Sequence, residues 1–222
     1  MNKCLVVVTL LGICSSNAFA WETAIDNDGI LVETRLKPNF RYREFRAKTE
    51  TSGTIAQAIA LLKDTTACKR WLYRCENSYV IRELSSTERL FYQLTSLPFP
   101  AKSRENILHA KITFEGRARA TITMTSSSQE IPVTKNIRVK KALGVFLLES
   151  TDENTLKVIW QQYIDPGGTL PSWIINSMIS KVPYKSLQAF RDLIKESPYS
   201  DAILINGSDG APTDIRSKDT HN

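Results

Sequence analysis

Few side chains in this sequence have the type and spacing that covalent chemistry needs. Two histidines occur, and His221 lies in a polar C-terminal stretch, which leaves His109 alone. A lone histidine in a strand-like run is more often a polar surface residue than a catalyst. The chain has no Gly-x-Ser-x-Gly, no Cys-x-x-Cys, no metal-spaced cluster of His, Cys and Asp, and no glycine loop shaped for phosphate. The expectation is therefore a protein that is not an enzyme and uses no cofactor or metal. Cys68 and Cys75 are the remaining reactive pair, seven residues apart. On one continuous helix their Cα atoms would stand ~10.5 Å apart, beyond the ~7 Å that a disulfide tolerates. A bridge requires the helix to end between them, near Trp71; two buried thiols are the other reading.

The other two cysteines, Cys4 and Cys14, fall in a stretch with the form of an export signal. Lys3 supplies a positive start, Leu5 to Ile13 a short apolar run, and Ala18-Phe-Ala20 a small-x-small cleavage site. The run is shorter than the ~20 residues of a membrane span. Residues 1–20 are thus expected to be a cleaved signal peptide, which places the mature protein in the periplasm or outside the cell. That compartment is oxidising and favours the disulfide.

The net charge is +6, of which Lys3 contributes one. Basic residues gather at Arg41/Arg43/Arg46/Lys48, at Arg117/Arg119 and at Lys135/Arg138/Lys140/Lys141. Such clusters are commonly solvated strand faces. Their functional alternative is transient contact with an anionic membrane surface. Nucleic acid is not an expected partner of an exported chain.

Alternating and helical periodicities supply the elements that would position a site. Gly29–Leu36 and Tyr42–Thr49 read as strands, and Thr54 caps a helix carrying Ile55, Ala58, Ile59 and Leu62. Short strands follow at Tyr79–Leu84, Arg89–Thr95, Asn106–Phe114, Arg117–Thr125, Asn136–Lys141, Val145–Glu149 and Thr155–Ile164. Turn residues separate them at hairpin spacing, which predicts an antiparallel sheet. Asp165-Pro-Gly-Gly168 then stops the last strand, and Thr169 or Leu170 is expected to cap a helix with Pro171 in its first turn. That helix carries an apolar stripe from Ile174 to Ile194, with an interior Pro183 that predicts a bend near Ile179 to Val182. Residues 199–222 are dominated by Gly, Asp, Ser and Thr and read as a flexible polar tail.

In order, Asp28-Gly-Ile-Leu-Val-Glu-Thr-Arg35, Arg43-Glu-Phe-Arg-Ala47, Pro98-Phe-Pro-Ala-Lys-Ser-Arg-Glu105 and Asp165-Pro-Gly-Gly…Leu-Pro-Ser-Trp173-Ile-Ile-Asn176 resemble the START (StAR-related lipid transfer) family, in its exported bacterial form. The resemblance spans about Gly29 to Ile194. It implies an α+β, helix-grip fold: a curved antiparallel sheet wrapped around a long C-terminal helix, with a tunnel for one lipid over residues 21–198. Sterol-carrying members place a buried acid and an arginine in the tunnel; the matching positions here hold Gln93 and Ala110, so that charged pair is absent. Glu105 stands where the family more often has aspartate.

Strand parity and helix spacing nominate the lining: Phe91 and Gln93 on one strand, Leu108, Ala110, Ile112 and Phe114 on the next, Trp160 on the last, and Ile174, Ile175 and Met178 on the helix. For each of these, ordinary core packing is an equal alternative. Gln93 differs because an amide on an inward face must find a partner, and a lipid headgroup is one. The expected function is binding, and transfer, of a lipid or other hydrophobic molecule. A helix-grip enzyme acting on an apolar substrate and a ligand-stabilised interaction or sensor module are the competing readings.

Overall fold

The computed structural model describes residues 20–127 and 131–217. Apart from Ala20, the expected signal peptide lies outside the described residues. Among the described residues are twelve strands and three α-helices: β1 (Glu22–Asn27), β2 (Ile30–Arg35), β3 (Glu44–Ser52), α1 (Ile55–Lys63), α2 (Cys68–Trp71), β4 (Cys75–Ser85), β5 (Glu88–Thr95), β6 (Arg104–Phe114), β7 (Arg119–Ser126), β8 (Ile137–Arg138), β9 (Lys141–Asp152), β10 (Thr155–Asp165), α3 (Ser172–Leu193), β11 (Ile203–Asn206) and β12 (Pro212–Arg216).

Two antiparallel meanders, β1-β2-β3 and β4-β5-β6-β7-β9-β10, are joined where β10 pairs with β3. The short β8 adds a parallel pairing beside β6. The sheet wraps α3, giving the helix-grip architecture that the strand pattern and the family resemblance implied. β1 was not foreseen: Glu22-Thr-Ala-Ile-Asp-Asn27 is a nearly all-exposed edge strand with no apolar alternation to announce it. Trp21 secures its start, stacked by Arg35 at 4.2 Å and Arg46 at 4.3 Å.

Thr54 caps α1 as its residue type predicts. It accepts from the Gln57 amide while the Gln57 side chain accepts from the Thr54 N–H, a reciprocal capping box. α2 ends at Trp71, and the chain reverses so that Cys68 and Cys75 are disulfide-bonded with their Cα atoms 5.9 Å apart. Closing so short a loop is worth about 2.5 kcal/mol on the chain-entropy account. Replacing both cysteines by serine should lower the thermal midpoint by about 5–10 °C. Unchanged melting, followed by circular dichroism, would mean that packing alone holds α2.

α3 corrects the expected start of the last helix. Pro171 occupies the cap position instead of the first turn, without a side-chain cap bond, and neither Thr169 nor Leu170 caps. The helix runs through Pro183 unbroken to Leu193. Its C-terminal half is firmly attached: Leu187, Phe190 and Ile194 are fully buried, Ser186 Oγ accepts from the Tyr73 amide at 3.0 Å, and Arg191 pairs with Asp28 at 2.6 Å. Phe190 meets Trp71 edge-on.

Residues 199–217 correct the expectation of a flexible tail. β11 and β12 form a hairpin against α1, with Tyr199, Ala202 and Ile215 buried. Gln57 donates to the Ser200 carbonyl, and the Tyr199 hydroxyl donates to Asp64 at 2.6 Å. Burial and the Asp64 carboxylate together push the Tyr199 phenol well above its usual range. This cover explains why Ala56 and Ala60, on the outer side of α1, are buried. The hairpin turns through residues 207–211, where Gly207 donates to the Ala211 carbonyl and Gly210 takes φ +80°.

Candidate functional site

Between the sheet and α3 lies a cavity of about 230 Å³, lined by residues from β5, β6, β10, α2 and α3. Its middle is hydrocarbon and aromatic. Phe146 stacks on Trp160 with ring centroids 4.9 Å apart, and Trp71 stands 6.4 Å from both. Phe45 closes edge-on against Trp160 at 4.9 Å.

Nearly all of the nominated residues meet there. Phe91, Gln93, Leu108, Ala110, Ile112, Trp160, Ile174, Ile175 and Met178 line the cavity. Phe114 does not; it has the right parity but sits beyond the cavity, packed against the buried core. Only the N-terminal half of α3 contributes to the wall. Ile175, Met178, Ile179 and Val182 are half-buried there, whereas the C-terminal half is anchored in the core. Pro183 marks the boundary and withholds an amide from the turn before it. One helix thus has a fixed end and a loosely packed end.

The polar part of the lining was largely missed. Continuing the β6 alternation upward from Leu108 gives Asn106 and Arg104, and both line the cavity. Asn106 lies opposite Gln93, which lies opposite Ser78, so three polar residues form a row across β6, β5 and β4. Gln93 donates to Thr95 at 3.3 Å and Ser78 to the Tyr92 carbonyl at 2.8 Å. The Asn106 Oδ1 and the Trp160 Nε1 are buried without a hydrogen-bond partner among the described residues. Each such orphan costs about 1–3 kcal/mol.

Arg104 answers why the chain turns so abruptly at Asp165-Pro-Gly-Gly168. It is 4% exposed and donates to the carbonyls of Lys102, Pro166 and Gly167. Burial holds its guanidinium below the usual arginine value. Gly167 has φ +67°, and a Cβ there would lie 2.8 Å from the Arg138 carbonyl oxygen, so glycine is required on both counts. Arg138 is held in turn by buried Glu105 at 2.9 Å. The Arg104-Glu105 pair therefore fixes the turn that launches α3, one side chain from each face of β6.

Register places the connections 36–43, 72–74, 96–103 and 166–171, together with residues 131–140, at this same end of the sheet. This end presents apolar side chains to solvent: Phe99, 92% exposed, and Val133, 63%, on the connections, and Trp173, 55%, in the first turn of α3. The basic clusters are less free than their composition suggests. Arg46 and Lys48 pair with Glu33, Arg43 with Glu22, Arg119 with Glu149, and Arg138 with Glu105. Arg41, Lys135, Lys140 and Lys141 are exposed at the sheet end just described.

The model of the START domain family matches residues 9–198. A Pseudomonas aeruginosa protein described as uncharacterized is 27% identical over 182 residues, which cover 80% of this chain and 89% of that one. The phosphatidylcholine transfer protein of Bos taurus is 24% identical over 165 residues, 71% of this chain and 76% of the other. Among solved structures, the STAR-related lipid transfer protein from Xanthomonas axonopodis superposes with a TM-score of 0.73 at 26% identity, covering 79% of this chain and 99% of its own.

Proposed function

The chain belongs to the START domain family, and from that premise we propose that it carries a single lipid in the cavity between the sheet and α3, accepting it from one membrane and releasing it at another. The cavity of about 230 Å³, walled on one side by the loosely packed half of a helix, is the observation that carries this reading. A ~16-carbon chain gains about 13 kcal/mol on leaving water, at ~0.8 per CH₂. Crossing an aqueous gap bare is therefore slow. Moving from a bilayer into an oil-like cavity changes little, and that near-balance is what reversible loading needs.

The cavity is larger than the ~150 Å³ space that holds benzene in an engineered core, and too small for a whole phospholipid. Loading must widen it. The N-terminal half of α3 is the movable wall, swinging about Pro183 while the anchored half stays in place. Export by residues 1–20 would deliver the carrier to the periplasm, and the Cys68–Cys75 disulfide suits that compartment.

In this reading the sheet end bearing Phe99 and Trp173 is the membrane-facing end, with Arg41, Lys135, Lys140 and Lys141 supplying attraction to anionic headgroups. Native mass spectrometry with organic extraction should find lipid on the purified protein, and a vesicle-to-vesicle assay should show transfer. A chemically altered molecule in the cavity would favour an enzyme. Replacing Phe99 and Trp173 together by alanine should reduce transfer about tenfold or more, since each buried aromatic contributes about 1.5–3 kcal/mol. Transfer at the original rate would remove this end from the mechanism.

A further inference from the structure

Arg104 holds a charge that nothing nearby neutralises. It is buried, and its three hydrogen bonds all go to uncharged backbone carbonyls. Among the described residues no carboxylate pairs with it, and its neighbour Glu105 is engaged instead with Arg138, Tyr92 and Thr134. Arginine has five N–H donors, so the guanidinium keeps capacity beyond these carbonyls. A buried cation without an anion is costly, and the cost is relieved by a ligand that brings one.

Asn106 stands two residues along the same strand face. It is 6% exposed, lines the cavity, and its Oδ1 has no partner. The χ2 torsion of asparagine is soft, so the carboxamide can present its acceptor to a group in the cavity. Gln93 and Ser78 extend the polar row from Asn106 away from the aromatic middle. The uncapped N-terminus of α3 begins over this end, where Leu170 and Ile174 also line the wall, and its dipole adds partial positive charge.

Resting on the carrier reading above, we propose that the cavity is selective for the lipid head: it takes an anionic phospholipid whose phosphate lies against Arg104 and whose head also donates a hydrogen bond, through a hydroxyl, to Asn106. The acyl portion points the other way, toward Ile112 and Trp160. A choline head keeps the phosphate but lacks the donor and the net negative charge. Its quaternary ammonium has no N–H to give Asn106, and it brings positive charge toward Arg104.

The test uses the full mature chain incubated with vesicles of phosphatidylglycerol and phosphatidylcholine in equal parts, with the bound lipid read by native mass spectrometry. Phosphatidylglycerol should be enriched about fivefold, the value of one neutral hydrogen bond, since both lipids bring a phosphate to Arg104. Asn106→Leu, of similar volume, should bring that ratio close to one, and Arg104→Lys should lower it. Circular dichroism establishes that each variant is folded, and Asn106→Leu decides the matter alone if Arg104→Lys does not fold. Millimolar inorganic phosphate should leave loading unchanged; competition by it would assign the site to a free anion and overturn the lipid assignment. Equal loading of the two lipids, preference for phosphatidylcholine, or enrichment that survives Asn106→Leu would overturn the inference while leaving lipid carriage intact. No loading of either lipid would defeat both.

Discussion

Ala110→Trp should abolish lipid loading while leaving the protein folded. Ala110 lies on β6 between Leu108 and Ile112, on the cavity wall, opposite Arg89 on β5 and Met124 on β7. A cavity of ~150 Å³ holds benzene, and indole is larger, so one tryptophan takes much of the space available here. Overpacking a filled core costs about 1–3 kcal/mol. At Ala110 the added ring enters space that already exists, so the thermal midpoint should change little or rise. Copurifying lipid should fall by more than tenfold, and vesicle transfer with it. A folded Ala110→Trp protein that still transfers lipid at the original rate would show that the cargo travels elsewhere.

Glu105→Gln should be the most damaging single change to stability, at about 3 kcal/mol, because it removes the anion from a buried ion pair and leaves Arg138 behind. Glu105 is fully buried. It accepts from Arg138 at 2.9 Å, from the Thr134 hydroxyl at 2.6 Å and the Thr134 amide at 3.2 Å, and from Tyr92 at 3.3 Å. Burial by itself pushes the Glu105 carboxyl up, but the bonds from Thr134 and Arg138 outweigh it and hold the group below the usual glutamate value. A depressed folded value means that the stabilisation is present above about pH 4.5 and is lost as pH falls through the folded value. The midpoint of the variant should be lower by about 6–12 °C near neutrality. The gap to the native protein should close on acidification below about pH 4. A gap that stayed constant down to pH 2 would mean that the loss comes from packing and not from charge. The effect should extend to the cavity, since the Arg138 carbonyl lies against Gly167 in the turn that precedes α3.

The strands that face the cavity were legible because each is amphipathic over many residues. Phe91 and Gln93, then Leu108, Ala110 and Ile112, keep strict alternation, and a two-residue period leaves one choice of inward face. Thr54 and Gln57 announced α1 by capping chemistry, and Asp165-Pro-Gly-Gly168 announced the turn by what proline and glycine forbid and permit. β1 and the β11–β12 hairpin were not legible by the same means. The first is exposed along nearly its whole length, and the second is a short hairpin packed against α1, so its apolar runs looked like exceptions in a solvated tail. Arg138 was read with the basic cluster around it because sequence distance hides a partner 33 residues away.

The sequence by itself determined the class of fold and which residues could face a lipid, since periodicity and turn residues are local properties written along one strand or helix at a time. Tertiary structure alone decided how far the cavity extends, which excludes Phe114 and admits Arg104 and Asn106. It also decided which charges are spent on one another and which buried groups are left unpaired. Those outcomes depend on where separate strands come to rest against α3, and no one-dimensional pattern carries that distance.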